Sequence, residues 1–355
     1  MKREAKYLQL FETIKEEIVS GAYRGGNRIP GENELSRKYK MSRQTVRQSL
    51  SLLEQEGLVE RRQGSGTYVL EQMHRRKRTW NVGVVTTYIS EYIFPGILRG
   101  IERELSQGGF SPLLFATANR VDNERRILEE FLKRPVDGLI VEATKSALPN
   151  PNIGLYRALM AQGIPVVFFN GWYQAMENPV YVVMDDKAGG SRAVSMLADA
   201  GHRYIGGIFK SDDRQGLERY AGYLEGALER GLSVKDHWVL WFQSENRRQF
   251  LTEEGEWLRR TMAECTAVVC YNDEVAVRLA QILKEKGYKL PEERMIASFD
   301  NSLYSQISPI YSLDHPKEVL GATAARKLMA LIGGKKEKSL VLSWGAAIPP
   351  GFRSS

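Results

Sequence analysis

Between Ser42 and Arg47 the chain reads Ser-Arg-Gln-Thr-Val-Arg. Guanidinium groups grip phosphates or the edge of guanine, a Gln amide matches adenine, and hydroxyls serve either. If Ser42 caps a helix here, Arg43, Gln44, Thr45 and Arg47 crowd its first turns, while Val46, Leu50 and Leu53 form an inward apolar stripe. That is the chemistry of a helix that reads duplex DNA.

Elements on either side can position such a helix. Residues 7–20 place Leu10, Ile14 and Ile18 on one face, with Gly21 as a stop. A turn through Arg28-Ile29-Pro30 leads to a second helix over about 32–40, with Leu35 and Tyr39 apolar. The third helix runs to about Glu56 and ends at Gly57. Residues 58–61 and 67–69 then pair around Gln63-Gly64-Ser65-Gly66 as a hairpin. Gly64 and Gly66 lie in that hairpin rather than before a helix, so a nucleotide loop fails on context. The expected unit is a winged helix-turn-helix over residues 1–70.

Charge separates this unit from the rest. The chain carries +7 from 50 basic and 43 acidic residues; 17 basic and 10 acidic fall in 1–80, and 33 of each in 81–355. A basic head on a neutral body points to a polyanion-binding module joined to something with another task. Residues 71–80, ending Arg75-Arg76-Lys77-Arg78-Thr79-Trp80, read as a basic linker. There is no apolar run of about 18 residues and no signal-peptide pattern, so a cytoplasmic, nucleoid-associated protein with no membrane partner is expected. Cys265 and Cys270 read as buried thiols.

The body, 81–355, alternates short apolar runs (82–87, 111–116, 137–143, 164–170, 204–209, 266–272, 294–300) with helical stretches near 95–107, 122–134, 152–162, 187–200, 216–230, 249–262 and 273–286. Such alternation predicts parallel sheets covered on both faces, in two similar lobes. Ligands of such sheets meet the carboxyl ends of strands. There the chain sets Tyr88, Tyr92 and Phe94; Glu142 and Lys145; Asn170 and Trp172; Lys210, Asp212 and Asp213; Asn272 and Asp273; and Asp300. Flat rings beside amides and carboxylates suit a small polyhydroxylated ligand.

The patterns P-x-E-x-E-L, S-R-x-T-V-R, EGLV-x-R and G-x-GT-x-V resemble the GntR family of bacterial regulators over residues 5–70. That resemblance implies Arg43 and Arg47 on bases or phosphates, with Ser42, Gln44 and Thr45 beside them. It also implies Gln63 and Gly64 in the minor groove and Lys6 on the backbone. The segments HRYIGGI, ERYAGY, NDEVA and ASFDNS resemble LacI-type, periplasmic-binding-protein-like effector domains over about 81–350. This second resemblance implies that Arg219, Asn272 and Asp300 hold ligand hydroxyls and that His315 approaches from the crossover region. Tyr92, Phe94, Glu142, Lys145 and Asn170 complete the candidate effector site. A GntR head on a LacI-like body is similar to the arabinose-responsive repressors, as are TTYISEYIFPGILRGIE, DNERR and VDGLIVEATKSAL. The implied effector is L-arabinose.

Duller roles stay open: Asn272 and Asp300 as helix caps, Phe94 as core, Arg219 in a surface ion pair. Catalysis has little support. Histidines at 74, 202, 237 and 315 lack metal-ligand spacing, and neither a phosphate loop nor a nucleophile elbow occurs, so no metal or cofactor is expected. Two acids on neighbouring strand ends could imitate a glycosidase pair. The expectation is a homodimeric repressor that binds an operator in double-stranded DNA and is released by sugar. A regulator tuned to another pentose or hexose, or one whose ligand strengthens DNA binding, uses the same parts.

Overall fold

The computed structural model describes residues 6–19, 22–23, 26–62, 64–69, 78–90, 92–253 and 255–349. Gly21, Gln63 and linker residues 71–77, His74 among them, lie outside this set. The chain divides after Thr79 into a head and a body.

In the head, α1 (Lys6–Val19), α2 (Glu32–Tyr39) and α3 (Arg43–Gln55) precede a hairpin of β1 (Val59–Arg62) and β2 (Gly66–Val69). Leu10, Ile14, Ile18, Leu35, Val46, Leu50 and Leu53 bury together with Ile29, Val59 and Val69. The helical stripes and the hairpin thus share one small core. Lys40 adopts the left-handed conformation that ends α2, and the Ser42 hydroxyl accepts from Thr45 N at 3.2 Å. The hairpin registers Val59 against Val69 and Arg62 against Gly66. Arg28-Ile29, expected as a plain turn, adds a third short run to the wing, bridging Arg28 to Tyr68, with Ile29 N on Thr67 O at 3.0 Å. Gly66 is required there: φ is +123° and a Cβ would lie 2.6 Å from Arg28 Nε.

The body has two six-stranded sheets. The first lobe is built from β3 (Asn81–Thr86), α4 (Phe94–Gln107), β4 (Ser111–Ala116), α5 (Val121–Lys133), β5 (Gly138–Glu142), α6 (Ile153–Ala161), β6 (Val166–Phe169) and β7 (Val180–Met184). The chain then crosses into α7 (Asp186–Asp199), β8 (Ile205–Lys210), α8 (Arg214–Glu229), β9 (Val239–Phe242), α9 (Phe250–Glu253), α10 (Gly255–Glu264), β10 (Ala267–Cys270), α11 (Asp273–Glu285), β11 (Met295–Asp300), α12 (Leu303–Gln306) and β12 (Tyr311–Asp314). It returns as α13 (Lys317–Ile332) and β13 (Leu340–Leu342) and crosses once more to β14 (Ala347–Ile348). Strand orders are β4-β3-β5-β6-β7-β13 and β9-β8-β10-β11-β12-β14. Every pairing is parallel except that of β14 with β12. Central strands such as β5 and β11 are buried throughout, the signature of a sheet covered on both faces.

The expected α/β architecture, a winged helix-turn-helix plus two parallel-sheet lobes, is the one observed. Strands β7, β9, β12, β13 and β14 and helix α13 were not read from the sequence. Four are short or edge segments, and α13 is rich in small residues that weaken its apolar stripe.

Small residues hold each crossing helix against its lobe. A Cβ on Gly100 of α4 would fall 2.2 Å from Glu318 O, and one on Gly321 of α13 2.0 Å from Ile97 O. In the second lobe a Cβ on Gly190 of α7 would fall 2.2 Å from Arg219 O, and one on Gly222 of α8 1.9 Å from Lys187 O. Only glycine permits that approach, and it brings the first turn of α7 beside Arg219.

Candidate functional site

The head offers an exposed face at the start of α3. Arg43, Gln44 and Arg47 are exposed there, and Thr45 is half-buried with its hydroxyl 2.8 Å from Ser42 Oγ. Arg47 makes a two-point contact with Glu32, Nη2 to Oε2 at 2.9 Å and Nε to Oε1 at 3.2 Å, yet its side chain stays 64 % exposed. The Arg47 contact holds the Glu32 carboxyl below its usual range. Arg61 approaches from the wing, donating to Arg47 O at 3.2 Å and Ser51 Oγ at 3.1 Å. Lys6 is exposed at the start of α1, and Gly64, with φ +73°, is exposed at the wing tip. Arg28 and Arg62 are exposed on the wing as well, Arg62 lying 4.6 Å above the Tyr68 ring. Sequence reasoning passed over Glu32, Arg28 and Arg62, because only the fold sets them beside α3 or β2.

In the body a cleft opens between the two sheets, enclosing about 790 Å³ of space including its mouth. The first lobe contributes Thr87, Tyr88, Tyr92, Phe94, Asn119, Glu142 and Asn170; the second contributes Lys210, Asp213, Arg219, Phe242, Tyr271, Asn272 and Asp300. Nearly all follow strand ends, as open parallel sheets require. Tyr92, Asn119, Asn170 and Asp300 hold φ of 60°, 54°, 59° and 101°. Non-glycine residues rarely adopt such values, and they concentrate where side chains are aimed for function.

Arg219 is the electrostatic centre. It is 1 % exposed and donates from Nε to Asp186 Oδ1 at 2.8 Å, with Nη2 3.9 Å from Asp300 Oδ1. Its guanidinium carbon stands 4.4 Å from the Phe299 ring centre and 5.0 Å from those of Tyr271 and Trp344. A buried cation needs such partners. Burial, opposed by Arg219, pushes the Asp186 carboxyl up to about 6. The expected alternative of a surface ion pair for Arg219 is replaced by this buried one.

The lobes touch across the cleft. Asn119 Nδ2 donates to Ser244 Oγ at 2.6 Å and Asp213 Oδ1 at 3.2 Å. Arg214 N donates to Ser146 Oγ at 2.9 Å, and Arg247 lies 4.3 Å over the Tyr88 ring. Tyr88 and Phe94 meet edge to face at 5.8 Å, giving the first lobe an aromatic wall.

Of the sequence-derived effector residues, Tyr92, Phe94, Glu142, Asn170, Arg219, Asn272 and Asp300 line the cleft together. Asn272 also caps α11, accepting from Val275 N at 3.0 Å. Lys145 stands outside the lining, because its ammonium is paired with Glu245 of the other lobe. His315 also stands outside: it is buried edge-on to Trp344 at 5.4 Å, where burial holds its ring well below the usual range. Trp172 stacks on Tyr181 at 4.0 Å instead. Asn119, Gln215, Phe242, Arg247, Tyr271, Glu274 and Arg278 line the cleft without having been singled out. Phe242 belongs to an unread strand, whereas the i, i+4 pair Glu274 and Arg278 on α11 was open to detection.

Residues 6–69 match the bacterial regulatory proteins of the gntR family, and residues 194–347 the periplasmic binding protein-like domain. The chain is 37 % identical over 337 residues to an arabinose metabolism transcriptional repressor of Halalkalibacterium halodurans, covering 93 % of this chain and 90 % of that one. It is 39 % identical to a protein of the same description from Geobacillus stearothermophilus, covering 92 % and 91 %. Among solved structures, transcription regulator CcpA of Lactococcus lactis is similar with a TM-score of 0.65 and 27 % identity, over 76 % of this chain and 98 % of that one.

Proposed function

Because the chain belongs to the family of arabinose metabolism transcriptional repressors, we propose that it represses arabinose-utilisation genes by binding operator DNA through its head and is released when L-arabinose occupies the body cleft. The observation that carries this reading is the cleft's charge balance. Lys210 is paired with Asp213, Arg219 with Asp186, and Arg278 with Glu274 at 3.0 Å. An anionic or phosphorylated ligand would have to break these buried or half-buried pairs, whereas a neutral sugar leaves them intact. Rings of Tyr88, Phe94, Phe242 and Tyr271 supply faces for sugar C–H groups.

One head covers one half-site, so the working unit is a homodimer on a palindromic operator in the cytoplasm. Arg43, Gln44, Thr45 and Arg47 read the major groove, and Gly64 with its wing follows the minor groove. Sugar favours the closed arrangement of the lobes, and the two heads then no longer match the half-site spacing. The coupling required is typically ~1–3 kcal/mol.

Gel shifts of operator DNA with and without L-arabinose test this. Release is the expected result; tighter binding would favour the corepressor alternative and overturn the repressor mechanism.

A further inference from the structure

The turn between β9 and α9 reaches across the cleft, and three of its residues each take a different partner on the first lobe. Ser244 Oγ accepts from Asn119 Nδ2 at 2.6 Å, the Glu245 carboxylate pairs with the Lys145 ammonium, and the Arg247 guanidinium lies 4.3 Å over the Tyr88 ring. The turn is also fixed on its own lobe. Ser244 N donates to Asp212 Oδ2 at 3.1 Å, Gln243 N to Asn246 Oδ1 at 2.8 Å, and Arg278 Nη1 to Arg247 O at 2.9 Å. On the facing lobe Asn119 Oδ1 accepts from Lys145 N at 2.8 Å, which leaves the Asn119 amide nitrogen for Ser244. Asn119, Tyr88 and Arg247 line the cleft, whereas Lys145, Ser244 and Glu245 do not. The ion pair stands at the rim, with 20 % of the Lys145 side chain and 61 % of that of Glu245 exposed. Its hydrogen bond from Lys145 holds the Glu245 carboxyl below the usual range.

We propose that residues 243–247 form a strap across the cleft and that its Lys145–Glu245 ion pair sets how tightly the sugar is held, without touching it. Exposed pairs add little to the stability of a rigid fold. This one joins two lobes and exists only where they are closed, so it favours the closed arrangement and raises the affinity of the ligand enclosed there. Lys145 thus serves effector binding through the opposite lobe. Ser244 and Arg247 hold side chains that line the cleft, whereas the ion pair can be altered with every lining side chain left in place. This inference rests on the sugar-binding reading above.

The test uses the full-length protein, calorimetric titration with L-arabinose and gel shifts of operator DNA. Lys145→Glu and Glu245→Lys each lose the pair and set like charges face to face, so the dissociation constant for the sugar is expected to rise about 5-fold in each. The double variant Lys145→Glu/Glu245→Lys restores an ion pair of reversed sense, and its affinity should return to about the wild-type value. Sugar-free operator binding should stay unchanged in all three, while the single variants need more L-arabinose to release the operator. Single variants that bind sugar like wild type, or a double variant no better than the singles, would overturn the strap. Operator binding lost in step with sugar affinity would overturn it too, because the damage would then be general. Wild-type protein that binds no member of a pentose and hexose panel overturns the sugar reading and this inference with it. If it binds a different member, only the effector assignment fails, and the variant series run with that sugar still decides the strap.

Discussion

Tyr92, just before α4 in the first lobe, donates its hydroxyl to the carboxylate of Asp300 at the end of β11 in the second. The same oxygen accepts from Asp273 N at 3.1 Å. One phenol therefore ties the lobes at the back of the cleft, and burial with the nearby Asp300 charge keeps it protonated, well above the usual tyrosine range. In the proposed mechanism, contacts of this kind would add to the stability of the closed arrangement that sugar favours.

Replacing Tyr92 by Phe keeps the ring but leaves a buried carboxylate oxygen and a backbone N–H short of a partner, a loss of about 1–2 kcal/mol. Affinity for L-arabinose should fall roughly 10-fold, while sugar-free operator binding stays unchanged. Equal calorimetric affinities for the two proteins would refute the tie.

Arg47→Ala should cost operator binding about 1–3 kcal/mol per head and reduce its salt dependence. Sugar affinity should stay at the wild-type value. Glu32→Gln frees Arg47 from its fork, so the ratio of specific to non-specific DNA binding should drop, read by anisotropy on operator and scrambled duplexes. A parallel fall in sugar affinity would contradict the separation of the two modules.

Asp273 is fully buried and accepts from Ser312 Oγ at 2.6 Å and Ser302 N at 2.7 Å. Burial, with help from Asp300, pushes its carboxyl up to about 6, as burial does for Asp186. A carboxyl raised in the folded state binds its proton more tightly there than in the unfolded chain. Its contribution is therefore present at pH below about 4 and lost as pH climbs through about 6, each unit being worth ~1.4 kcal/mol. Asp273→Asn should flatten this part of the stability profile. All 6 tryptophans lie in the body, so urea titrations followed by tryptophan fluorescence read it directly; an unchanged slope between pH 4 and 6 would rule the assignment out.

Gly222→Ala would place a methyl 1.9 Å from Lys187 O and prise α8 from α7. The expected cost is ~3 kcal/mol or more in the same urea assay, with weaker sugar binding as Asp186 leaves Arg219. Gly154→Ala, with nothing within 4 Å, should be neutral. Similar losses at both positions would point to general glycine effects rather than close helix approach.

Much of this molecule is written locally. Ser42 caps α3, Val46, Leu50 and Leu53 mark its buried side, and turn residues close the hairpin. Each signal acts within a few positions, so the sequence alone determined the winged head and placed Arg43, Gln44 and Arg47 on its exposed start. Alternating apolar runs likewise determined two parallel-sheet lobes and sent the search to strand ends. Membership of the cleft was decided only by tertiary structure. Lys145 and Asn170 both follow strands, yet one is drawn to Glu245 of the other lobe while the other stays in the cleft lining, bonded to Glu142, 28 residues earlier. For Arg219, expected to hold a ligand hydroxyl, the helical run alone left a surface ion pair open, and only the glycine packing of α7 on α8 buries it against Asp186. Such pairings depend on how two sheets face each other after three crossings of the chain, and no local period or cap encodes that.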